Sequence, residues 1–562
     1  MKVIIIGGVA GGASAAARLR RMDEGAQIVL FERSGFISYA NCGLPYYVGG
    51  VIEKEDALTL QTPEGFSRRF AVDVRVRSEV LAIDREKKTV LVRGPQGERY
   101  EEGYDKLLLA PGAKPIVPPM PGVDGPRIFR LRTVEDALAI RGFVARERPT
   151  SVLVAGGGFV GVEMAENLRT AGLGVTLVQR GDHLLGPFDP EMATLLHQQL
   201  RAHGVRLMLG TQVLGFAQEG QGVRTVLSGG GSLASDFVVL CIGVAPESDL
   251  ARAAGLALGE RGAIRVNARM QTSDPDIYAV GDAVQIPNRV SLADAHIPLA
   301  GPANKQGRIA ADAIAGRAVR YPGALGTCVV KLFDLTAAAT GLSDRAARAS
   351  GLDIEKIILT PANHASYYPG ARAMTMKVLC ERGSMRLLGA QIVGGEGVDK
   401  RIDVLATATA AGLCGPDLAT LDLAYAPPYG SAKDPINMAG YILENVAQGI
   451  VRHVFAEQID GLPRDGSVSL IDVRTPREYA RGHAEGFVNV PLDDLRARLE
   501  EIPADRPAYL MCQSGIRSYL ASRILAQRGV ACYNLAGGYG FYRNTILRER
   551  EEAATSACGA IE

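Results

Sequence analysis

Residues 2–22 read KVIIIGGVAGGASAAARLRRM. A β-branched apolar run meets a glycine loop, and the loop opens an Ala-rich helix. Residues 28–33, IVLFER, follow as a second apolar strand. Strand, glycine turn, helix and strand together form the setting in which a glycine fingerprint holds a dinucleotide. Gly7 lets the chain turn tightly, and Gly12 lets helix and strand pack closely. The middle glycine of the fingerprint is replaced by Val9, with Gly8 before it and Ala10 and Gly11 after it. Glu32 ends the second strand 25 residues after Gly7, placed to accept hydrogen bonds from a ribose, and Arg33 follows it. The helix N-terminus would meet the pyrophosphate.

The unit repeats at residues 151–180, SVLVAGGGFVGVEMAENLRTAGLGVTLVQR. Here Gly156, Gly158 and Gly161 complete the fingerprint, with Phe159 and Val160 inside it. Gln179 replaces the expected acid and Arg180 follows. A missing carboxylate removes repulsion against a 2′-phosphate, while Gln still hydrogen-bonds a ribose, so NADH and NADPH both stay open. Two such units imply two dinucleotides. In TSDPDIYAVGDAV (272–284), Gly281 and Asp282 end an apolar strand, where a carboxylate can bind a ribityl hydroxyl. LLLAPGAKP (107–115), with Ala110, and VVLCIGVAPE (238–247), with Gly243, are strand-then-glycine returns closing each half.

The bulk numbers narrow the function. With 562 residues and 47% apolar content, three to four domains with large cores are expected. Sixty-two basic residues against 61 acidic ones give no reason to expect a nucleic-acid partner. Eight scattered cysteines make no CxxC pair and no disulfide scaffold, so no metal site is expected. The opening MKVIIIGG is too short for a signal peptide or a membrane span. A soluble, cytoplasmic protein without a membrane partner is the expectation.

One cysteine, Cys42, stands in GFISYANCGLPYYVGG (35–50) without a second thiol near it in sequence. Residues 1–445 resemble the pyridine nucleotide–disulfide oxidoreductases. The resemblance implies FAD on the first glycine unit, NAD(P)H on the second and hydride passing between them, with Ala300 also facing a cofactor. Many members carry a CxxxxC pair and a C-terminal His-Glu dyad; this chain has neither. SYANCGLPY with its single cysteine resembles the coenzyme A-disulfide and persulfide reductases of that family. There the second sulfur comes from the ligand, and the cysteine cycles through a mixed disulfide or accepts sulfur from a persulfide. The same resemblance places Ser38 and Asn41 against the ligand and Arg18 and Arg21 on coenzyme A phosphates. Phe70 replaces a family lysine, with Arg68 and Arg69 beside it. Tyr367 and Tyr425 match positions that reach the partner subunit's cysteine in a homodimer, where a phenol can protonate a departing thiolate. Oxidase and peroxidase relatives carry His in the first glycine loop; Ala10 stands there, which favours sulfur chemistry. No Lys or Arg adjoins Cys42, so a helix N-terminus or the flavin would have to activate it.

Past residue 465 the pattern changes. VSLIDVRTPREYARGHAEGFVNVP (468–491), AYLMCQSGIRSYLASRILAQRGV (508–530) and CYNLAGGYGFYR (532–543) give strands, helices and a CxxGxR loop headed by Cys512. Backbone N–H groups at a loop-to-helix turn, the helix dipole and Arg517 would stabilise a thiolate or persulfide anion. This segment resembles a single rhodanese domain. Arg517 could instead pair with Asp472. The remaining cysteines read as structural: Cys241 and Cys328 in apolar strands, Cys380, Cys414 and Cys532 in apolar or mixed segments, and Cys558 in a tail expected to be mobile.

The expected fold is α/β. An FAD domain (1–115 and 245–320) and an NAD(P)H domain (116–244), both Rossmann-like, precede an α+β dimerisation domain (321–445). A linker (446–465) then leads to an α/β rhodanese domain (466–550). The expected activity is NAD(P)H-driven reduction of persulfides, polysulfides or coenzyme A disulfides, with Cys512 carrying sulfane sulfur. The alternatives are a slow sulfur carrier or redox sensor, or an NADH oxidase or peroxidase of the same fold.

Overall fold

The computed structural model describes residues 1–259 and 261–551, so Cys558 lies outside the described residues. The chain forms two compact units: Met1–Asp182 with Leu200–Gly326, and His183–Gln199 with the chain from Thr327 onward.

In the first unit two parallel five-stranded sheets repeat one plan. The first runs, edge to edge, Ile277–Ala279, Lys106–Leu109, Lys2–Ile6, Gln27–Phe31, Asp73–Arg75. The second runs Arg206–Met208, Gly174–Val178, Ser151–Ala155, Phe237–Leu240, Ile128–Arg130. Strands covered on both faces read as unbroken apolar runs; Val3, Ile4, Ile5, Val29, Leu30, Leu107 and Leu108 have no exposed surface. Each glycine loop leaves the carboxyl end of a central strand, where such sheets bind ligands. Gly7 (φ +100°) and Gly156 (φ +111°) adopt backbone that a side chain would strain. A Cβ at Gly12 would collide with the carbonyl of Gly7, and one at Gly161 with that of Gly156. These contacts set the close helix–strand packing expected from the sequence.

The second unit holds two further sheets. One is antiparallel, in the order Cys328–Leu332, Leu335–Gly341, Leu387–Gly394, Thr375–Glu381, Ile354–Leu359. The helices Val398–Ala411 and Pro435–Ala447 bury Ile402, Leu405, Ile436 and Leu443 in its core. The other is parallel, in the order His453–Val454, Cys532–Leu535, Ala508–Met511, Ser469–Asp472, Val488–Asn489. Residues 446–465, read from the sequence as a linker, therefore include an edge strand of this sheet. Burial of Val451, Val454, Ala456 and Ile459 ties the segment down. Among the described residues no helix is long and apolar enough to cross a membrane.

Candidate functional site

The two glycine loops meet their strand-end residues in the same way. Gly8 N–H donates to Glu32 Oε2 at 2.9 Å, and Gly157 N–H donates to Gln179 Oε1 at 3.0 Å. Glu32 is buried, and its Oε1 also accepts from Ser34 N–H at 2.9 Å. The helices Ala10–Met22 and Phe159–Thr170 begin without a side-chain cap and without an acid in the first turn. Their free N–H groups and positive dipole ends suit a pyrophosphate. Around Gly158 a Cβ would meet nothing within 4 Å, so this glycine opens space that packing does not fill. These observations fit two dinucleotides. Arg33, Arg180 and Val160 are exposed, and Phe159 is half-buried. Ala110 N–H pairs with Ile6 O, and Gly243 (φ +122°) turns the second return. Gly281 N–H donates to the buried Gln306 at 2.7 Å. Ala300 opens the uncapped helix Ala300–Ile314. Gly307 of that helix lies so close to Gly11 that a Cβ would strike the Gly11 carbonyl.

Cys42 lies in the turn Asn41–Gly43 that leads into the short helix Leu44–Val48, and it is exposed. Ser38 enters this loop at φ +45°, a left-handed conformation that costs a non-glycine residue about 1–3 kcal/mol. Hydrogen bonds from Ser38 N–H to Gly8 O and from Ala40 N–H to Leu58 O hold the loop against the first glycine turn. With its amide turned so that both groups pair, Asn41 donates to the Arg132 carbonyl at 2.9 Å and accepts from Arg132 Nη1 at 3.2 Å. Arg132 Nη2 in turn donates to Asp282 Oδ2 at 2.8 Å. Partial burial, and then the carboxylates of Glu163 and Asp282, push the Cys42 thiol up; Arg132 acts the other way. The cation that opposes this rise is Arg132, 90 residues away in sequence, and its effect is smaller than the causes that raise the thiol. Burial also raises Glu163 to about 7, helped by Glu166 and opposed by a hydrogen bond from Tyr46 Oη at 3.2 Å.

The coenzyme A candidates separate. Arg18 is paired with Asp312, Nε to Oδ1 at 2.7 Å and Nη2 to Oδ2 at 3.0 Å, whereas Arg21, Arg68 and Arg69 are exposed. Cys241 follows the strand Phe237–Leu240 rather than lying in it, and burial pushes its thiol up to about 12. It is the other cysteine of the first unit, and it offers no second reactive sulfur.

In the second unit the hydroxyls of Tyr367 and Tyr425 meet at 2.9 Å, and both rings are exposed. The buried Arg401 holds their loops. Its Nη2 donates to Asn363 O at 3.0 Å, Tyr429 O at 3.1 Å and Asp434 Oδ2 at 2.8 Å. The hydrogen bond to Tyr367 is the first cause holding the Tyr425 phenol above its ordinary value.

Cys512 follows the strand Ala508–Met511 directly and is fully buried. Gly515 N–H donates to Sγ at 3.1 Å and Ser518 Oγ at 3.3 Å. Gly515, at φ +95°, turns the loop into the helix Ile516–Ala526. This is the anion-stabilising turn expected from CxxGxR. The suggested Arg517–Asp472 pair is not formed. Asp472 pairs with Arg474, two residues on, at 2.6 Å, and Arg517 forks onto Glu478 at 2.7 and 2.8 Å. The Cys512 sulfur lies close enough to act on the Arg517 guanidinium. Cys328, Cys380 and Cys532 have thiols raised by burial to about 11, 12 and 11, in keeping with packing roles.

Comparison with known proteins follows the same division. Residues 1–307 match the pyridine nucleotide-disulphide oxidoreductase family, residues 327–434 its dimerisation domain and residues 455–544 the rhodanese-like domain. The NAD(P)H sulfur oxidoreductase (CoA-dependent) of Pyrococcus abyssi is 36% identical over 443 residues, 79% of this chain and 98% of that protein. Reduced Bacillus anthracis CoADR-RHD superposes with a TM-score of 0.95 at 46% identity, covering 97% of this chain and 98% of the other. A NAD-dependent persulfide reductase from A. fulgidus gives 0.90 at 37% identity, covering 96% and 100%. With paired glycine loops, a loop-borne thiol and a matched dimerisation domain, the chain belongs to the pyridine nucleotide-disulphide oxidoreductase family and carries a rhodanese-like domain at its C-terminal end.

Proposed function

We propose that this enzyme uses NAD(P)H to reduce persulfides, polysulfides or coenzyme A disulfides at Cys42, and that Cys512 carries sulfane sulfur for it. One observation carries the reading: Cys42 is exposed beside the first glycine loop with no second reactive thiol in its unit. The other sulfur must then arrive with the substrate.

The first glycine loop, Glu32 and Asp282 would hold FAD, and the second loop with Gln179 would hold the nicotinamide dinucleotide. FAD, when bound, passes the two electrons of NAD(P)H to the sulfur site. Cys42 Sγ attacks one sulfur of the substrate disulfide; the S–S bond breaks and its electron pair leaves with the departing thiolate. Arg132 favours the attacking thiolate, and Asn41 and Ser38 fix the loop. Tyr425, with Tyr367, gives a proton to the thiolate that leaves the substrate disulfide as Cys42 of a partner subunit attacks it. Two electrons, supplied when FAD is bound, would then break the S–S bond of the mixed disulfide, releasing the second thiolate and returning Cys42 to its thiolate.

The test is Cys42→Ser, which leaves the glycine loops and Asp282 untouched. FAD content should stay near one per chain, while NADH oxidation dependent on coenzyme A disulfide or glutathione persulfide disappears. Turnover near the wild-type rate would refute the assignment.

A further inference from the structure

The guanidinium beside Cys512 is already neutralised. Arg517 donates both Nη groups to the two carboxylate oxygens of Glu478, and the pair is only partly exposed, at 32% and 30%. Such a planar fork is the strong, oriented form of an ion pair. Glu478 is fixed from its other side as well. Its Oε2 accepts from Thr475 N–H at 3.0 Å and Thr475 Oγ1 at 2.8 Å, closing the capping box of the helix Pro476–Ala480. The loop between Cys512 and Arg517 is Gln513-Ser514-Gly515-Ile516, without a charge. Asp472 and Arg474 are buried and paired with each other. Cys512 itself receives one N–H and one hydroxyl, partners enough for a single anionic sulfur.

We propose that Glu478 sets the donor class of Cys512: by holding Arg517 it admits singly charged persulfide donors and disfavours doubly charged sulfur oxyanions such as thiosulfate. The proposal rests on reading Cys512 as a sulfur-transfer cysteine. Its chemistry balances for both donors. The Cys512 thiolate attacks the outer sulfur, the donor S–S bond breaks, and the electron pair leaves with the departing group. That group is a thiolate from a persulfide and sulfite from thiosulfate; Cys512 is left as a persulfide anion. A persulfide anion brings two negative charges to the site, counting the thiolate, and thiosulfate brings three. The third needs a cation, and the one beside the thiol is committed to Glu478. Glu478 is thus a positioning residue that acts through Arg517.

Glu478→Gln in the full-length, FAD-loaded protein tests this. Cyanide is the acceptor, thiocyanate is measured, and thiosulfate and cysteine persulfide, whose net charge is minus one, are the donors. The wild type should favour the persulfide in kcat/KM. In E478Q, KM for thiosulfate should fall and the thiosulfate-to-persulfide ratio of kcat/KM should rise by about tenfold, the effect of one freed charge at a partly exposed site. Glu478→Asp is the second variant. Asp136 closes an equivalent capping box at Thr133, so an Asp can keep the cap while its shorter arm weakens the fork. It should shift the ratio the same way by a smaller factor. An unchanged ratio in both variants, or equal losses on both donors, would overturn the proposal, as would a wild type that prefers thiosulfate. A wild type that transfers sulfur from neither donor would refute the Cys512 reading itself, before any variant is compared.

Discussion

Arg132 joins Asp282 to the thiol loop: its Nη2 lies 2.8 Å from Asp282 Oδ2, while its Nη1 and carbonyl pair with the Asn41 amide, once that amide is turned, next to Cys42. The acid expected to face the flavin and the loop carrying the reactive sulfur thus share one guanidinium. Replacing Arg132 with Met removes the cation that favours the thiolate. Alkylation of Cys42 by iodoacetamide at pH 7.5 should slow, by up to about tenfold, the effect of a pKa shift of about one unit. An unchanged alkylation rate would show that Arg132 is only a structural tie.

Glu163 shapes the pH response of the same pocket. Its carboxyl is raised to about 7, so the folded chain keeps a proton there that the unfolded chain releases near 4.5. The folded state binds more protons between these values, so this group's contribution to stability falls as pH rises from 4.5 to 7, by up to roughly 3 kcal/mol. Glu163→Gln should flatten that fall, seen as a smaller drop in Tm between pH 5 and pH 7.5. It should also lower the pH at which Cys42 alkylation reaches half its maximum, since one like charge is gone. A wild-type alkylation profile in the variant would exclude coupling between the two groups.

His453 gives the opposite sign in the rhodanese sheet. Its Nδ1 is buried without a hydrogen-bond partner, and burial lowers the ring to about 4, against 6.5 when free. The unfolded chain binds the extra proton in this window, so stability is lost as pH falls from 6.5 towards 4, by up to about 3 kcal/mol. His453→Phe keeps an aromatic ring beside Phe455 and should move the acid-unfolding midpoint lower, followed by circular dichroism.

Tyr425→Phe should slow disulfide turnover by about 10²–10⁴, the usual worth of a general acid. An ordinary phenol already keeps its proton at neutral pH, and Tyr367 holds this one higher still, so Tyr425 has a proton to give as the thiolate leaves. Stopped-flow reduction of the flavin by NAD(P)H should be unaffected. Equal loss in both half-reactions would make the tyrosine structural.

Cys512→Ser separates a relay from two independent activities. Small soluble persulfides should still be reduced at Cys42, and transfer to cyanide should vanish. Polymeric sulfane donors should suffer most, because Cys512 would collect from them. If every donor is reduced as fast as in the wild type, no relay exists.

The parts of the site that were legible in the sequence are local. Gly7 and Glu32, Gly156 and Gln179, and Cys512 and Gly515 lie within one strand–turn–helix unit each, where spacing alone dictates which groups meet. The parts that were not legible depend on tertiary contact. Arg132 sits one residue before the capping Thr133, in a stretch without a motif. Arg401 looks like one more helix residue until its contacts with the Tyr429 and Asn363 carbonyls are seen. Glu478 reads as the acid of a capping box, and it is; its second partner lies 39 residues on. Each is a long side chain serving backbone or charge far away, and such side chains leave no periodic trace.

The two glycine loops differ in how freely they can drift. At the first, a methyl on Gly8 would press on Ile37 and Leu30, and Glu32 is buried with a backbone N–H on each oxygen. At the second, the space beside Gly158 is open and Arg180 is exposed. Exposed substitutions of this kind usually change stability by less than about 0.5 kcal/mol. On the proposed assignment of the loops, the choice of electron donor is therefore open to evolutionary tuning at little folding cost, whereas a change of flavin would have to remake the core.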